Sequence, residues 1–337
     1  MSFVKINFHQ LLEKKIYNDT INIIEKTIQM VRKDMSEKLI DFDSYAVRTS
    51  LKKLLQDKTT KKNIIWATNT REYLGSSFIH NKEIGENIFT KIGFELEPRT
   101  SKEENTQSER TKKRAEVFTP SWIVNQMNNS IDEEWFGRKN IFNVEEAMSW
   151  NPTSKTIKLP EGKTWQDYIQ SVRLEITCGE APFLVSRYDV SSGERITKTI
   201  NRIGILDRKL RIVNENVTTK KDWINWAVKS VQSCYGYEYQ GDSLLIARIN
   251  VLLTFVEYYE ERWKDKVDSK TLLKLANIIS WNIWQMDGLT GTVPFSDEIK
   301  SNEQVSLFEK KENTEINCRI FDWKANKSQE FNELREK

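Results

Sequence analysis

The stretch that decides the fold runs from residue 172 to residue 184 and reads VRLEITCGEAPFL. In its first half, apolar residues alternate with Arg173 and Glu175, which is the pattern of a β-strand. A short turn around Gly179 follows, and the residues after it predict the start of a helix. When a parallel strand ends in a tight turn before a helix, ligands bind at the carboxyl edge of the sheet. We therefore expect a binding site at this turn.

Two segments further along the chain predict strands of the same sheet. The first is residues 234–239, which is short and aromatic, and the second ends in residues 284–289. Helical patterns separate the strands, because apolar residues occupy one face of residues 243–262 and recur at helical spacing in residues 272–279. This alternation predicts an α/β fold, with an open parallel sheet and helices on its faces.

Upstream of these strands, the chain predicts a different organisation. Residues 1–98 predict a mostly helical N-terminal region, since apolar residues recur at helical spacing in residues 21–31 and 47–55. Residues 99–114 contain no apolar residue and predict a polar surface linker. Residues 115–337 form the main predicted domain.

An acidic residue or a glycine stands at the end of each predicted strand. Glu175 and Gly179 close the first strand, Glu238 ends the second and Asp287 follows the third. A carboxylate at the position of Glu238 can accept hydrogen bonds from two ribose hydroxyls, and Asp287 can accept one from the amine of an adenine ring. Each residue alone is explained as a surface or turn residue. Together they predict an adenosine-like ligand at the edge of the sheet.

These segments resemble the adenine-specific, S-adenosylmethionine-dependent DNA methyltransferases of restriction–modification systems, in particular restriction endonuclease subunit M. The first motif of that family, D/E-P-x-C-G-x-G-x-F-L, stands here as EITCGEAPFL at residues 175–184. The other matches are Phe118-Thr119-Pro120 for the upstream F-T-P motif, Gly236 and Glu238 with Ala247, Arg248, Asn250, Leu252 and Leu253 for the second motif, and Met286-Asp287-Gly288-Leu289 for the third. The resemblance spans roughly residues 63–323.

The resemblance implies a Rossmann-like methyltransferase domain that binds S-adenosylmethionine and transfers a methyl group to adenine N6 in double-stranded DNA. It implies that Thr119 contacts the methionine moiety, Glu238 holds the ribose and Asp287 faces the adenine, while the turn wraps the cofactor. The implied cofactor-binding residues are Thr119, Pro120, Glu175, Thr177, Cys178, Gly179, Glu238 and Asp287.

The chain departs from the family at the turn and in the spacing of its strands. Ile176 replaces the usual Pro and Ala181 the usual second Gly. Glu175 and Glu238 are also 63 residues apart, where such a step usually takes ~20–30 residues. We therefore expect a surface insertion at residues 186–230; finding it threaded through the core would contradict the alignment. Its cations are Arg202, Arg208, Lys209 and Arg211, expected on a solvated face, with phosphate contact as the alternative.

The catalytic signature of the family, D/N-P-P-Y/F, is absent. In the family its side chains bind an adenine that has been flipped out of the duplex. The partial matches Asn151-Pro152-Thr153 and Val293-Pro294-Phe295 predict turns. Residues 318–323 predict a further strand and the polar residues from Asn326 a helix. We expect no catalytic residue and a domain that is incomplete at its C-terminal end, complemented by a second polypeptide or truncated.

Composition excludes several classes of protein. The 52 Lys and Arg against 49 Asp and Glu leave a net charge of +3, so the chain has no strongly basic balance. Three separated cysteines and two histidines predict no disulfide framework and no metal site, and suit the cytoplasm. No apolar run approaches ~20 residues, so no membrane partner is expected. The alternative function is a non-catalytic, methyltransferase-like scaffold that binds DNA or partner subunits.

Overall fold

The computed structural model describes residues 38–89, 94, 96–98, 100, 119–296 and 315–335. Its contacts divide the chain into two units, Met1–Asp41 and Phe42–Lys337, and the fold below is that of the second. Three parts of the sequence predictions lie outside the described residues: the apolar pattern at residues 21–31, Phe118, and all of the linker except Thr100.

Helices and strands alternate along the described part of the second unit. Its α-helices are α1 Tyr45–Leu54, α2 Ser121–Phe136, α3 Trp165–Gln170, α4 Ile205–Asn216, α5 Lys220–Gln232, α6 Gly241–Trp263, α7 Ser269–Asn282 and α8 Asn332–Arg335. Its strands are β1 Asn143–Glu146, β2 Ser149–Pro152, β3 Arg173–Glu175, β4 Cys234–Glu238, β5 Ile283–Gln285, β6 Arg319–Asp322 and β7 Lys327–Glu330. None of the described helices combines the length and hydropathy that a membrane span needs.

Strands β3, β4 and β5 form one parallel sheet, in that order. Glu175 lies beside Gly236, and Glu238 lies beside Gln285. The structure therefore combines helices with a parallel sheet, which is compatible with the predicted α/β fold. In an ordinary half-buried strand the apolar side chains face the interior and the polar ones face solvent. Strand β3 has the opposite arrangement, because Glu175 is buried while Leu174 is 44% exposed.

The two faces of the sheet are covered by different structures. Helix α6 packs against β4 and β5. On the other face, Tyr235 and Trp284 join a hydrophobic cluster with Ile320 of β6, and α6 contributes no residue to that cluster. Strands β6 and β7 pair antiparallel and form a hairpin that covers part of this face. Helices therefore cover one face of the sheet, and the hairpin covers only part of the other.

The N-terminal helix α1 packs against α6 and α7. It lies where apolar periodicity predicts a helix, and Val47 and Leu54 are fully buried. Beyond α1, Gln285 of β5 accepts a hydrogen bond from the N–H of Ile65 and donates one to its carbonyl, at 2.9 and 2.8 Å. Residues 45–65 thus belong to the same packed body as the sheet.

The prediction of a surface insertion at residues 186–230 is wrong. This segment contains α4 and α5, and Leu206, Leu210 and Val213 of α4 are fully buried. Helix α5 packs against β4, while α4 packs against α3, α5 and α6. The extra residues between β3 and β4 therefore form an additional buried helix instead of a projection, and the two strands remain neighbours.

The cations of this segment are also buried, which contradicts the solvated face expected for them. Arg208 forms an ion pair with Asp132 of α2 at 2.5 Å and donates to the side-chain carbonyls of Asn125 and Asn129 at 2.9 and 2.8 Å. Helix α2 consequently buries a polar face, and Met127 on the same helix is 51% exposed. Hydrophobic periodicity misses such a face because its members are polar.

The other three cations have partners inside the protein as well. Lys209 donates to the carbonyl of Ser171 and to the hydroxyl of Ser233, both at 2.6 Å. The remaining partners are Glu257 for Arg202 and the carbonyls of Phe142 and Thr153 for Arg211. Buried charged groups need such partners because desolvation is costly.

At the C-terminal end, the predicted strand is confirmed as β6, and the polar helix predicted from Asn326 is wrong. That segment continues as β7, which pairs with β6. The reason is the turn between them, in which Asp322 accepts backbone hydrogen bonds from Lys324 and Ala325 at 2.8 and 2.9 Å. Asn326 has a left-handed φ of 52°, which ends the turn and is incompatible with a helix start.

Candidate functional site

The carboxyl ends of the three parallel strands meet at one edge of the sheet, as the sequence predicts. At the end of β3, the carboxylate of Glu175 accepts hydrogen bonds from the backbone N–H groups of Phe183 and Leu184, at 3.3 and 3.1 Å. Burial, with a smaller contribution from the nearby Glu238, raises the pKa of Glu175 to about 8. The two backbone hydrogen bonds act in the opposite direction and lower it. This carboxyl group fixes the turn to the strand end.

The turn after β3 is strained. Thr177 and Ala181 have left-handed φ angles of 45° and 65°, which side chains rarely adopt, and Gly179 lies between them at 54°. A Cβ atom built on Gly179 would meet no atom within 4 Å, so space is open in front of it. Strained backbone of this kind concentrates at binding and catalytic sites. The strained backbone and the open space in front of Gly179 therefore occur in the same turn.

Glu238, at the end of β4, reaches this turn. Its carboxylate accepts hydrogen bonds from the N–H of Gly179 at 2.8 Å and from the N–H of Gln240 at 3.0 Å. The residue is 8% exposed. Both donors are backbone groups, so this carboxylate ties the end of β4 to the turn after β3. The structure thus brings together Glu175, Gly179 and Glu238.

Thr119 and Pro120 precede α2, which begins at Ser121. The N-cap of α2 is Pro120, and the N–H of Ser121 donates to the carboxylate of Asp189 at 2.6 Å. Burial raises the pKa of Asp189, but hydrogen bonds from Ser191 and Ser121 outweigh it and lower the pKa to about 2. Among the described residues, no hydrogen bond or ion pair joins Thr119 to Glu175, Glu238 or Asp287.

Asp287 follows β5 and closes its own turn. Its carboxylate accepts a hydrogen bond from the N–H of Leu289 at 2.8 Å, and its N–H donates to the carbonyl of Thr292 at 2.9 Å. Leu289, at the tip of the turn, is 88% exposed. Asp287 therefore lies at the predicted edge of the sheet, and no described hydrogen bond or ion pair connects it to Glu238.

All three cysteines are buried and free. Cys178 packs against β4, because a Cβ built on Gly236 would lie 3.2 Å from the Cys178 sulfur. Burial raises the pKa of Cys178 well above its usual value, so this thiol stays protonated and is unsuited to nucleophilic or metal-binding chemistry. The described ranges contain no group of three potential metal ligands.

The structure adds neighbours of the site that the sequence did not indicate. The ring of Phe295 lies 4.5 Å from the ring of His80 and 6.2 Å from that of Tyr239, which directly follows Glu238. In addition, Arg71 forms an ion pair with Asp242 at 3.4 Å, in the first turn of α6. The only local signal was the position of Tyr239 beside an acidic strand end.

A buried network supports the turn from behind. Asn250 of α6 donates to the carbonyl of Glu180 at 3.1 Å and to the hydroxyl of Tyr188 at 3.0 Å. That hydroxyl donates to the Glu180 carboxylate at 2.6 Å, and Arg187 donates to the Asn250 side-chain carbonyl at 3.1 Å. These bonds hold the second half of the turn against the longest helix.

The two partial matches to the missing catalytic signature differ in position. Asn151 lies in β2, in an exposed hairpin, and its side chain donates to Glu146. Phe295 lies in the turn expected for residues 293–295, beside the aromatic rings of the site. Comparison with protein families, with curated proteins and with solved structures finds no match to the chain.

Proposed function

We propose that this chain binds S-adenosylmethionine at the carboxyl edge of the sheet, as part of a site-specific DNA adenine-N6 methyltransferase of the restriction–modification type. The observation that carries the proposal is the hydrogen bond between Glu238 at the end of β4 and the N–H of Gly179 in the strained turn after β3. It joins two features of adenosine recognition at such an edge, an acidic strand end and the turn that follows the neighbouring strand.

The residues at this edge fit the cofactor chemically. Glu238 stands at a strand end, where an acidic residue binds ribose in nucleotide folds. The turn presents open space at Gly179, and Tyr239 and Phe295 offer ring faces for an adenine. When bound, the cofactor would supply an activated methyl group. The protein's own task is to bind and orient it.

One finding counts against the family alignment, because that alignment required residues 186–230 to project from the surface. Helix α4 is buried instead. The neighbouring positions of β3 and β4, which cofactor binding requires, are retained because α5 covers β4 and α4 packs outside it. The edge geometry, and not the motif alignment, therefore supports the proposal.

Calorimetry with S-adenosylmethionine and with S-adenosylhomocysteine tests cofactor binding. We expect Glu238→Ala to weaken binding by about 2–4 kcal/mol, because charge-assisted hydrogen bonds contribute ~1.5–3 kcal/mol each and are rarely additive. Glu161→Gln, in an exposed loop, is the matched control and should bind as wild type does. Absence of binding heat from the wild type at millimolar cofactor would falsify the proposal.

Activity of the chain alone is a separate question. The signature that positions a flipped adenine is missing, and orientation supplies up to ~7–11 kcal/mol of barrier lowering. We expect no incorporation of tritium from labelled S-adenosylmethionine into mixed-sequence DNA unless a second polypeptide supplies that signature. Incorporation into adenine by the isolated chain, abolished by Asn151→Ala, would show that the catalytic motif has been misplaced.

The alternative function, a non-catalytic scaffold, is favoured by one observation. Leu174 of β3 and its flanking residues Val172 and Ile176 are exposed apolar side chains, which suits an interaction module. Calorimetry separates the two candidates, because a scaffold without cofactor chemistry gives no binding heat with S-adenosylmethionine and retains its partner binding.

A further inference from the structure

Strand β3 is an edge strand whose outer side is open. Only β4 pairs with it in the described sheet. The N–H of Arg173 donates to the carbonyl of Ser233, which precedes β4, at 2.9 Å. Since backbone groups of successive strand residues point to opposite sides, the N–H and carbonyl of Leu174 point away from β4. Within the described residues, the N–H and carbonyl of Leu174 therefore have no partner on the outer side of the strand.

The side chains of this strand do not protect it from further pairing. Edge strands are usually blunted by charged residues or proline. Here Val172, Leu174 and Ile176 are 58%, 44% and 64% exposed and lie on one face, at alternate positions. Parallel sheets are normally covered on both faces, and the hairpin covers this face only over β4 and β5. The face over β3 thus lacks a cover within the described part of the chain.

An apolar groove continues from this face under the hairpin. Its volume is about 450 Å³, and Leu174, Tyr235, Trp284, Phe321 and Trp323 line it. Such a groove can accept the alternate side chains of an extended segment, while the free backbone groups of β3 pair with its main chain. The groove and the strand edge therefore form one continuous binding surface.

The charges on the rim of the groove are unbalanced. Lys229 and Lys324 line it, and no ion pair of either is found among the described residues. The lining carboxylate, Asp322, is engaged by the backbone of its own turn. Lys229 and Ser233, near the end of α5, mark the side of the sheet where β3 and β4 begin. An occupant with acidic residues at that end would complement the two lysines.

We propose that a second polypeptide adds an extended strand to β3, with apolar side chains at alternate positions in the groove and acidic residues beside Lys229 and Lys324. This inference does not depend on cofactor binding. It adds one consequence that rests on the proposed function: a strand added in parallel would bring its own carboxyl end to the edge that holds Glu175 and Glu238.

Two labelled peptides test the surface by fluorescence anisotropy with the full chain. The acidic probe is Glu-Glu-Val-Thr-Val-Thr-Val-Thr-Gly, and its matched control replaces both Glu residues with Lys. We expect the acidic probe to bind more tightly, and Leu174→Lys to weaken it by at least about tenfold. Leu273→Lys, at a similarly exposed leucine of α7 outside the groove, should leave binding unchanged. Lys229→Glu should reverse the preference between the peptides.

Two results would overturn the proposal. One is failure of the acidic probe to bind the wild type at about millimolar concentration, or equal binding of both probes that Leu174→Lys leaves unchanged. The other is a wild-type dimer in light scattering that Leu174→Lys converts to a monomer, because a second copy of this chain then occupies the edge. Circular dichroism of each variant separates lost binding from lost folding. Neither result bears on calorimetry with the cofactor.

Discussion

Thr177 and Ala181 occupy left-handed backbone positions in the same turn, yet glycine should affect them differently. A left-handed conformation costs a residue with a side chain roughly 1–2 kcal/mol, and glycine avoids this cost. Glycine also increases the conformational entropy of the unfolded chain, which offsets ~0.5–1 kcal/mol of the gain. Thr177 is exposed, so little packing is lost on replacing it. Ala181 is fully buried, and removing its methyl group costs a further ~0.8 kcal/mol.

We therefore expect Thr177→Gly to raise the free energy of unfolding by about 0.5–1 kcal/mol and Ala181→Gly to leave it unchanged or lower it. Urea denaturation of both variants measures the difference. A destabilised Thr177→Gly would mean that the threonine side chain makes a stabilising contact that outweighs its backbone strain.

Glu175 should make stability fall as the pH rises. Burial raises its native pKa from 4.5 to about 8, so the folded protein binds this proton more tightly than the unfolded chain does. The contribution is fully present below about pH 4.5 and is lost as the pH rises through about 8. Glu175→Gln cannot ionise, so the variant should lack this part of the decline between pH 5 and 8. Unfolding free energies of both proteins across that range are the measurement, and identical profiles would contradict the assignment.

For single residues, the sequence predicts the position at a strand end better than the contacts that the side chain makes in the fold. Glu175, Glu238 and Asp287 follow their strands as expected, because strand ends can be located from local pattern. That Glu238 bonds to Gly179, or that Phe295 lies beside Tyr239, depends on tertiary contacts between distant segments. No sequence spacing reports such contacts.

Between elements, the buried ion pair of Arg208 with Asp132 joins α4 to α2. Removing one partner leaves an uncompensated buried charge, so we expect Arg208→Met to lower the free energy of unfolding by about 3–5 kcal/mol. The control is Lys220→Met, because the ion pair of Lys220 with Asp265 is exposed and such pairs contribute little to stability. Chemical denaturation should separate the two. A similar small loss in both variants would show that α2 and α4 pack without this pair.

Elements with apolar faces were predictable, and elements with polar buried faces were not. Helices α1, α6 and α7 lie where periodic apolar residues predict helices. Helix α2 buries Asn125, Asn129 and Asp132, and such residues suggest a surface when only the sequence is known. Their burial is understandable once Arg208 from a distant segment supplies the matching donors. Pairwise polar matching of this kind is invisible to a local hydropathy pattern.

At the scale of the molecule, α1 and the sheet share a buried cation. Arg248 of α6 donates to the backbone carbonyls of Leu54, Gln56, Ser280 and Ile283. Removing residues before the predicted boundary at residue 115 would take away α1, and with it two acceptors of a fully buried guanidinium. We therefore expect a fragment of residues 42–337 to unfold cooperatively and a fragment of residues 115–337 to lose cooperative unfolding. Thermal melts by circular dichroism test this, and a cooperative transition in the shorter fragment would contradict it.

The parallel sheet was predictable as a whole because strand and helix signals alternate over residues 172–289. The packing of residues 45–65 on that sheet was not. The polar run at residues 99–114 suggests a break between domains in the sequence, whereas Phe42–Lys337 forms one compact unit. A change in composition marks a solvated stretch of chain, and it does not report which surfaces on either side come together.

Because all three thiols are buried, the rates at which they react with an alkylating reagent report local opening of the structure. Cys178 lies in the turn, Cys234 in β4 and Cys318 under the hairpin, where it approaches the carbonyl of Gln285 at 3.3 Å. An alkylating reagent can reach each sulfur only when its surroundings transiently open, so three modification rates measure three separate opening equilibria. A ligand that binds the closed turn should slow modification at Cys178 more than at Cys234 or Cys318. Mass spectrometry of the peptides, with and without S-adenosylmethionine, would read this protection out without any mutation.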